Sequence, residues 1–276
     1  MKNFKKLLAV LLAGLMLLSL AACGGKDDVI KYGALEGSGV EGLRTEEHAA
    51  HMKQGFNVDS NQKVECVPYT NLSAGLMDLE SGKLKEFSLE ESVANYVAAR
   101  NDKIIVEKND VKTSFSMMTL DSKNDVYDIL NNAIKDMKAD GTLDSLIANE
   151  LKAYIESDPE AMDLPHFDGA RTIKVGVTGD LPPMDFVAAN GKAAGFNIAL
   201  LTEIANRANV NFELVQIETG SRAMALSSGK VDAVFWTKSV TCTVCGATGA
   251  EKIEGTLITE SYFSDYAALI KLKDNK

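Results

Sequence analysis

Short strand-like runs alternate with helical repeats along most of the chain, and that alternation limits the fold more than any other feature. Val29 to Leu35, Lys63 to Pro68, Leu84 to Leu89 and Lys103 to Glu107 read as strands. Helices are expected near Thr45 to Gln54, at Asn71 to Leu79 and at Glu90 to Arg100. Thr113 to Leu120 reads as a further strand. After it, Val126, Ile129, Leu130, Ala133, Ile134 and Met137 recur at helical spacing. Asp140-Gly141-Thr142 breaks that helix, and Leu143, Leu146, Ile147 and Leu151 begin another. Ser157 to Ala170 carries Pro159, Pro165 and Gly169 with little periodicity, so 157–170 reads as a linker. A second run follows: a strand at Ile173 to Val177, a helix at Gly195 to Ala208, then a strand at Asn211 to Ile217. It continues with a helix at Arg222 to Ser228, a strand at Val231 to Trp236 and a closing strand at Tyr266 to Leu272. Strands interleaved with helices imply an α/β fold with a mainly parallel sheet covered on both faces.

The N-terminus bears on location. Lys2, Lys5 and Lys6 precede an apolar stretch, Leu7 to Leu20, that is too short for a stable membrane span. Leu20-Ala21-Ala22-Cys23 follows, with Gly24 and Gly25 after it. This resembles the lipobox of bacterial lipoproteins. The resemblance implies a signal peptide over 1–22, lipidation of Cys23, a polar linker over 23–28 and an extracytoplasmic, lipid-anchored protein. The net charge of −10 becomes more negative once the three lysines are removed. That balance argues against nucleic acid and anionic membrane surfaces as partners and suits a monomer in solution. The remaining length, roughly 250 residues, accommodates one large domain or two lobes of about 120 residues each.

A specific resemblance emerges from the second run. "IKVGVTGDLPPMDFVAANGKAAGFNIALLTEIANRANVNFELV" followed by "SRAMALSSGKVDAVFW" resembles the first lobe of the extracellular solute-binding proteins of amino-acid importers, family 3. The earlier segments "GALEGSGVEG", "LMDLESGKLKEFSLEESVANYVAAR" and "TSFSMMTLDSKNDVYDILNNAIKDMKADGTLDSLIANEL" resemble the rest of the same family. The pieces stand in swapped order. The resemblance therefore implies a two-lobed, type II periplasmic-binding-protein-like fold that is circularly permuted. A hinge-inserted second lobe would occupy 29–110 and the first lobe 111–276, with 157–170 joining the usual chain ends. Such a chain is expected to cross between lobes covalently once, near Asn109 to Lys112.

Ligands of open α/β sheets sit beyond the carboxyl ends of strands, near helix N-termini. Gly37-Ser38-Gly39 lies after a strand, where backbone N–H groups could receive a carboxylate or form an ordinary turn. By resemblance, Glu90 stands where the family places an acid that takes the ligand's ammonium, although a carboxylate there also suits a helix start. Thr237 and Ser239 match polar strand-end positions. Arg222 matches an arginine of some relatives with acidic ligands and is alternatively a solvated helix residue. Thr178, Asp180 and Met184 fall on the turn that lines the family's pocket, and Trp236 substitutes for an otherwise thin aromatic clamp. Val244 stands where the family's carboxylate-binding arginine is expected, which puts an ordinary amino-acid ligand in question.

Cys242-x-x-Cys245 could form a local disulfide, a redox pair or two free thiols. Without a second such motif it is a poor zinc site. His48 and His51 share one helical face and no third ligand is evident. No metal, cofactor or catalytic residue is expected. The expected partners are a small polar solute, such as an amino acid, and the permease of an ABC importer. A ligand-sensing receptor is the alternative, and a dehydratase-like enzyme on the same scaffold a weaker one.

Overall fold

The computed structural model describes residues 29–36, 64–155, 157–242, 248–251 and 253–273. Cys23, Gly37, Ser38, Gly39, His48, His51, Val244 and Cys245, and the leader and helix expected before residue 64, lie outside the described residues. Cys242 ends a strand whose backbone is described there.

β1 (Ile30–Leu35), β2 (Val64–Tyr69) and β3 (Glu86–Glu90) lie parallel in the order β2-β1-β3. Phe87 and Leu89 on one face of β3 and Glu86 and Glu90 on the other are buried, as expected of a strand covered on both faces. Helix α1 (Leu72–Glu80) covers this part of the sheet with Leu72, Gly75 and Leu79, which recur on one helical face. Gly75 is required there, because a Cβ would run into the Phe87 ring. Asn71 caps α1 by accepting a hydrogen bond from the Ala74 N–H at 2.9 Å. Helix α2 (Glu91–Arg100) starts directly from β3 and buries Val93, Ala94, Tyr96 and Val97.

β4 (Ile104–Leu120) is a single 17-residue strand where the sequence suggested two. The polar stretch around Asn109 and Asp110 looks like a break, yet β4 continues because it has partners along both edges. On one edge it pairs with β13 (Phe263–Leu272) and then β12 (Thr256–Ile258). On the other it pairs with β10 (Ala233–Cys242), to which β11 (Thr248–Ala250) adds a short ribbon. β10 also extends well beyond the expected end at Trp236, for the same reason.

The second run supplies β5 (Thr172–Val177) and β9 (Asn211–Gln216), parallel to each other, with β5 parallel to β10. A small antiparallel sheet was not anticipated: β6 (Asp180–Leu181), β7 (Asp185–Val187) and β8 (Ala193–Ala194). Helix α3 (Asn124–Asp140) ends where Gly141 adopts a left-handed φ of 81°. It packs against α5 (Phe196–Ala208), while α4 (Thr142–Leu146) runs into a π-helical turn at Ile147–Lys152. Helix α6 (Arg222–Ser227) is short.

Two halves of one sheet emerge from these pairings, and they share a layout. The first reads β2-β1-β3-β13-β4 and the second β9-β5-β10-β4-β12. In each, three parallel strands are followed by one antiparallel strand borrowed from the other stretch of chain, then by a strand parallel to the first three. The expectation of one covalent crossing is corrected accordingly. β4 carries the chain from the first half to the second, and β13 carries it back, from Phe263 opposite Phe115 to Leu272 opposite Ile104. An aromatic group locks the crossing strands together. Phe115 of β4 meets Trp236 of β10 at 4.6 Å edge-on and Phe263 of β13 at 5.8 Å stacked.

Candidate binding site

The carboxyl ends of the parallel strands of both halves converge. Four contacts between the halves lie at these strand ends. The Leu72 N–H, at the start of α1, donates to Asp180 Oδ2 at 3.2 Å. Thr219 Oγ1 donates to the Thr70 carbonyl at 3.2 Å. Glu36, just after β1, lies against Gly220, where a Cβ would collide with its carboxylate. Lys238 Nζ donates to Glu90 Oε1 at 2.6 Å.

The last contact is the strongest electrostatically. Glu90 is the final residue of β3 and 7% exposed, and Lys238 on β10 is 5% exposed. The Lys238 ammonium lies 5.6 Å from the Phe115 ring centre and 5.5 Å from that of Trp236. A β-bulge positions this part of β10. The register against β4 shifts between Val234 and Thr237, and Trp236 there takes a left-handed φ of 67°, uncommon outside glycine.

Asp180 adds a carboxylate at the amino end of α1. Its burial raises its pKa, while the Leu72 and Ser73 N–H groups pull it down and nearby Asp185 pushes it up. Asp185 is almost fully buried and organises the turn beneath. Its Oδ1 accepts from the Thr178 N–H and Gly179 N–H, both at 2.8 Å, and from the Thr178 hydroxyl. Its Oδ2 accepts from Asn197 Nδ2 at 2.8 Å and from the Trp236 indole N–H at 3.3 Å. Gly195, just before α5, has a φ of 108°, and a Cβ there would stand 2.5 Å from the Met184 carbonyl. That close approach brings Asn197 to Asp185.

The structure places the residues singled out from sequence as follows. Glu90 and Asp180 meet the opposite half directly. Thr178 and Trp236 are held by Asp185, and Met184 is fully buried in the core. Thr237 is buried, with Oγ1 unpartnered among the described residues. Ser239 is exposed on β10 opposite Ser114. Arg222 is 4% exposed and held by its own half. Its Nε donates to the Thr219 carbonyl at 3.0 Å, Nη1 to the Phe235 carbonyl at 3.1 Å and to the Trp236 carbonyl, and Nη2 to Glu251 at 3.0 Å. Burial lowers its pKa, and the Glu251 charge opposes that shift. The guanidinium thus fastens α6 to the bulged strand.

Sequence reading passed over Lys238, which stands between Thr237 and Ser239. The available signal was a lone lysine in the run Val231 to Val240, where only Asp232 is otherwise charged. It also passed over Asp185 and Glu251. Among the described residues no group of His, Cys, Asp and Glu is arranged to hold a metal, and no helix is long and apolar enough to cross a membrane. Cys66 is a free, exposed thiol.

Residues 173–244 match the family described as bacterial extracellular solute-binding proteins, family 3. The resemblance to that family is thereby shown over the stretch running from β5 past the end of β10. None of the curated proteins matches the chain. Several solved structures align over most of it. A ligand-binding component of an ABC-type import system from Staphylococcus aureus, with zinc bound, aligns at TM-score 0.43 and 13% identity, over 89% of this chain and 66% of that one. The GluR0 ligand-binding core in complex with L-glutamate aligns at TM-score 0.42 and 10% identity, over 91% and 87%. A putative L-cystine ABC transporter protein from Listeria monocytogenes aligns at TM-score 0.42 and 11% identity, over 90% and 84%.

Proposed function

We propose that this protein, whose residues 173–244 match the family-3 solute-binding proteins, captures a small polar solute between the two halves of its sheet. It then presents the closed form to the permease of an ABC importer. One observation carries the reading: carboxyl ends of strands from two similarly built half-sheets meet, with polar contacts made directly across them. This is where open α/β sheets hold ligands, and two halves joined by strands can close around one by bending at the joint. Within this reading the protein is a monomer anchored outside the cytoplasm through lipidated Cys23. Glu90, Asp180, Thr237 and the segment Gly37-Ser38-Gly39 face the solute. Arg222, Thr178, Met184 and Trp236 hold the walls.

The reading extends to chain order. The segment matching the family comes second in the chain, and the stretch before 157–170 supplies β1 to β4, four of the five strands of the companion half. We read this as a circular permutation, with 157–170 as the join.

A thermal-shift screen of the full chain tests the function. Amino acids, hydroxy acids, dicarboxylates, polyamines and short peptides are the probes. A solute at about a hundred times its Kd adds roughly 2.7 kcal/mol of stability, read as a higher Tm. The expected result is a shift from one chemical class, accompanied by a smaller radius of gyration in scattering. Absence of a shift from every class would overturn the reading. Lipidation is tested separately: labelled palmitate is incorporated by the native chain and lost with Cys23→Ala.

A further inference from the structure

We propose that Lys238 is a specificity-determining residue, an internal ammonium that fills the cation site formed by Glu90, Phe115 and Trp236, so that the cleft selects solutes carrying no ammonium at that position. The proposal rests on the solute-binding reading and names the class of solute.

A buried carboxylate at a strand end with aromatic rings nearby has the chemistry of an ammonium receptor. Here the receptor and its occupant come from opposite halves of the molecule. Glu90 belongs to β3 and Lys238 to β10, and they meet at 2.6 Å with both side chains nearly excluded from solvent. The ammonium also lies 5.6 Å and 5.5 Å from the Phe115 and Trp236 ring centres. Phe115 and Trp236 also meet each other edge-on at 4.6 Å, which ties the two rings together beside the ion pair. A solute bearing an ammonium would have to displace Lys238 or sit beside a like charge in a buried place. Either cost falls on the amine and spares an otherwise identical hydroxy acid.

Matched solutes that differ only in ammonium against hydroxyl test this: L-alanine with L-lactate, L-serine with L-glycerate, and L-glutamate with L-2-hydroxyglutarate. Binding is read by calorimetry and thermal shift on the full chain and on Lys238→Met. The wild type is expected to take the hydroxy member of at least one pair, and the amino member at least about tenfold more weakly. Lys238→Met leaves Glu90 free and should reverse the order. Should Lys238→Met fail to fold, Glu90→Gln/Lys238→Met removes both charges and is expected to bind the two members of a pair alike. A wild type that binds the amino member as well as or better than its partner overturns the proposal and leaves the solute-binding reading standing. So does a double variant that still rejects amines. Failure of every pair to bind both the wild type and a folded variant overturns the proposal, and the solute-binding reading falls with it only if the broader thermal-shift screen is also silent.

Discussion

Glu90 and Lys238 show how much depends on keeping both members of a buried pair. Each has lost most of its hydration, and each is tolerated because the other lies 2.6 Å away. Glu90→Ala or Lys238→Ala alone should cost about 3–5 kcal/mol in urea denaturation, because a charge is left buried without its partner. Glu90→Gln/Lys238→Met should return stability to within about 2 kcal/mol of the wild type. The pair also illustrates what a sequence can tell. Glu90 was singled out because the family resemblance places an acid at that strand end, although a helix start alone would explain a carboxylate there. Lys238 was passed over because a lysine in a strand is ordinarily read as solvent-facing. Only the bulge at Trp236 and the arrival of the other half bury it. Arg222 taught the converse lesson. Its type suits a ligand carboxylate, but the carbonyls of Thr219, Phe235 and Trp236 and the Glu251 carboxylate engage it within its own half. Only Thr219, three residues back, is near in sequence; Phe235, Trp236 and Glu251 lie 13 or more residues away.

At the scale of elements, the strands with local signals were legible and those defined by distant partners were not. β1, β3, β5 and β9 alternate or run apolar between clear turns, and their expected limits fall within two residues of those observed. β4 was read as two pieces because Asn109 and Asp110 resemble a break. Its continuity comes from β13 and β10, whose residues are more than a hundred positions away in the chain. β13 is the element on which the first half depends most. It stands between β3 and β4 and is hydrogen-bonded to both, so its removal opens a gap in the interior of a sheet. Truncation after Tyr262 is therefore expected to abolish cooperative unfolding of the first half. Hydrogen exchange should then find β1, β2 and β3 unprotected while β5 and β9 keep some protection.

For the whole molecule, a buried carboxyl group makes folding sensitive to pH. Burial raises the Asp180 pKa where it meets α1. A carboxyl group whose pKa is higher in the folded chain than in the unfolded one binds its proton more tightly when folded. Its contribution to stability is fully present at low pH and is lost as pH rises through the raised value. Urea denaturation should therefore find this contribution growing as pH falls through the window just above the ordinary aspartate value of 3.8. Asp180→Asn, which carries no titratable group, should flatten that part of the dependence. A dependence unchanged by Asp180→Asn would assign it to other groups.

The place of β13 also governs the order in which the chain can be finished. Residues 86–90 are synthesised well before 263–272, the strand they pair with. The early strands therefore wait for that neighbour while the intervening chain is made. During that interval β3 has an open edge, and the sheet cannot be completed until the distant strand arrives.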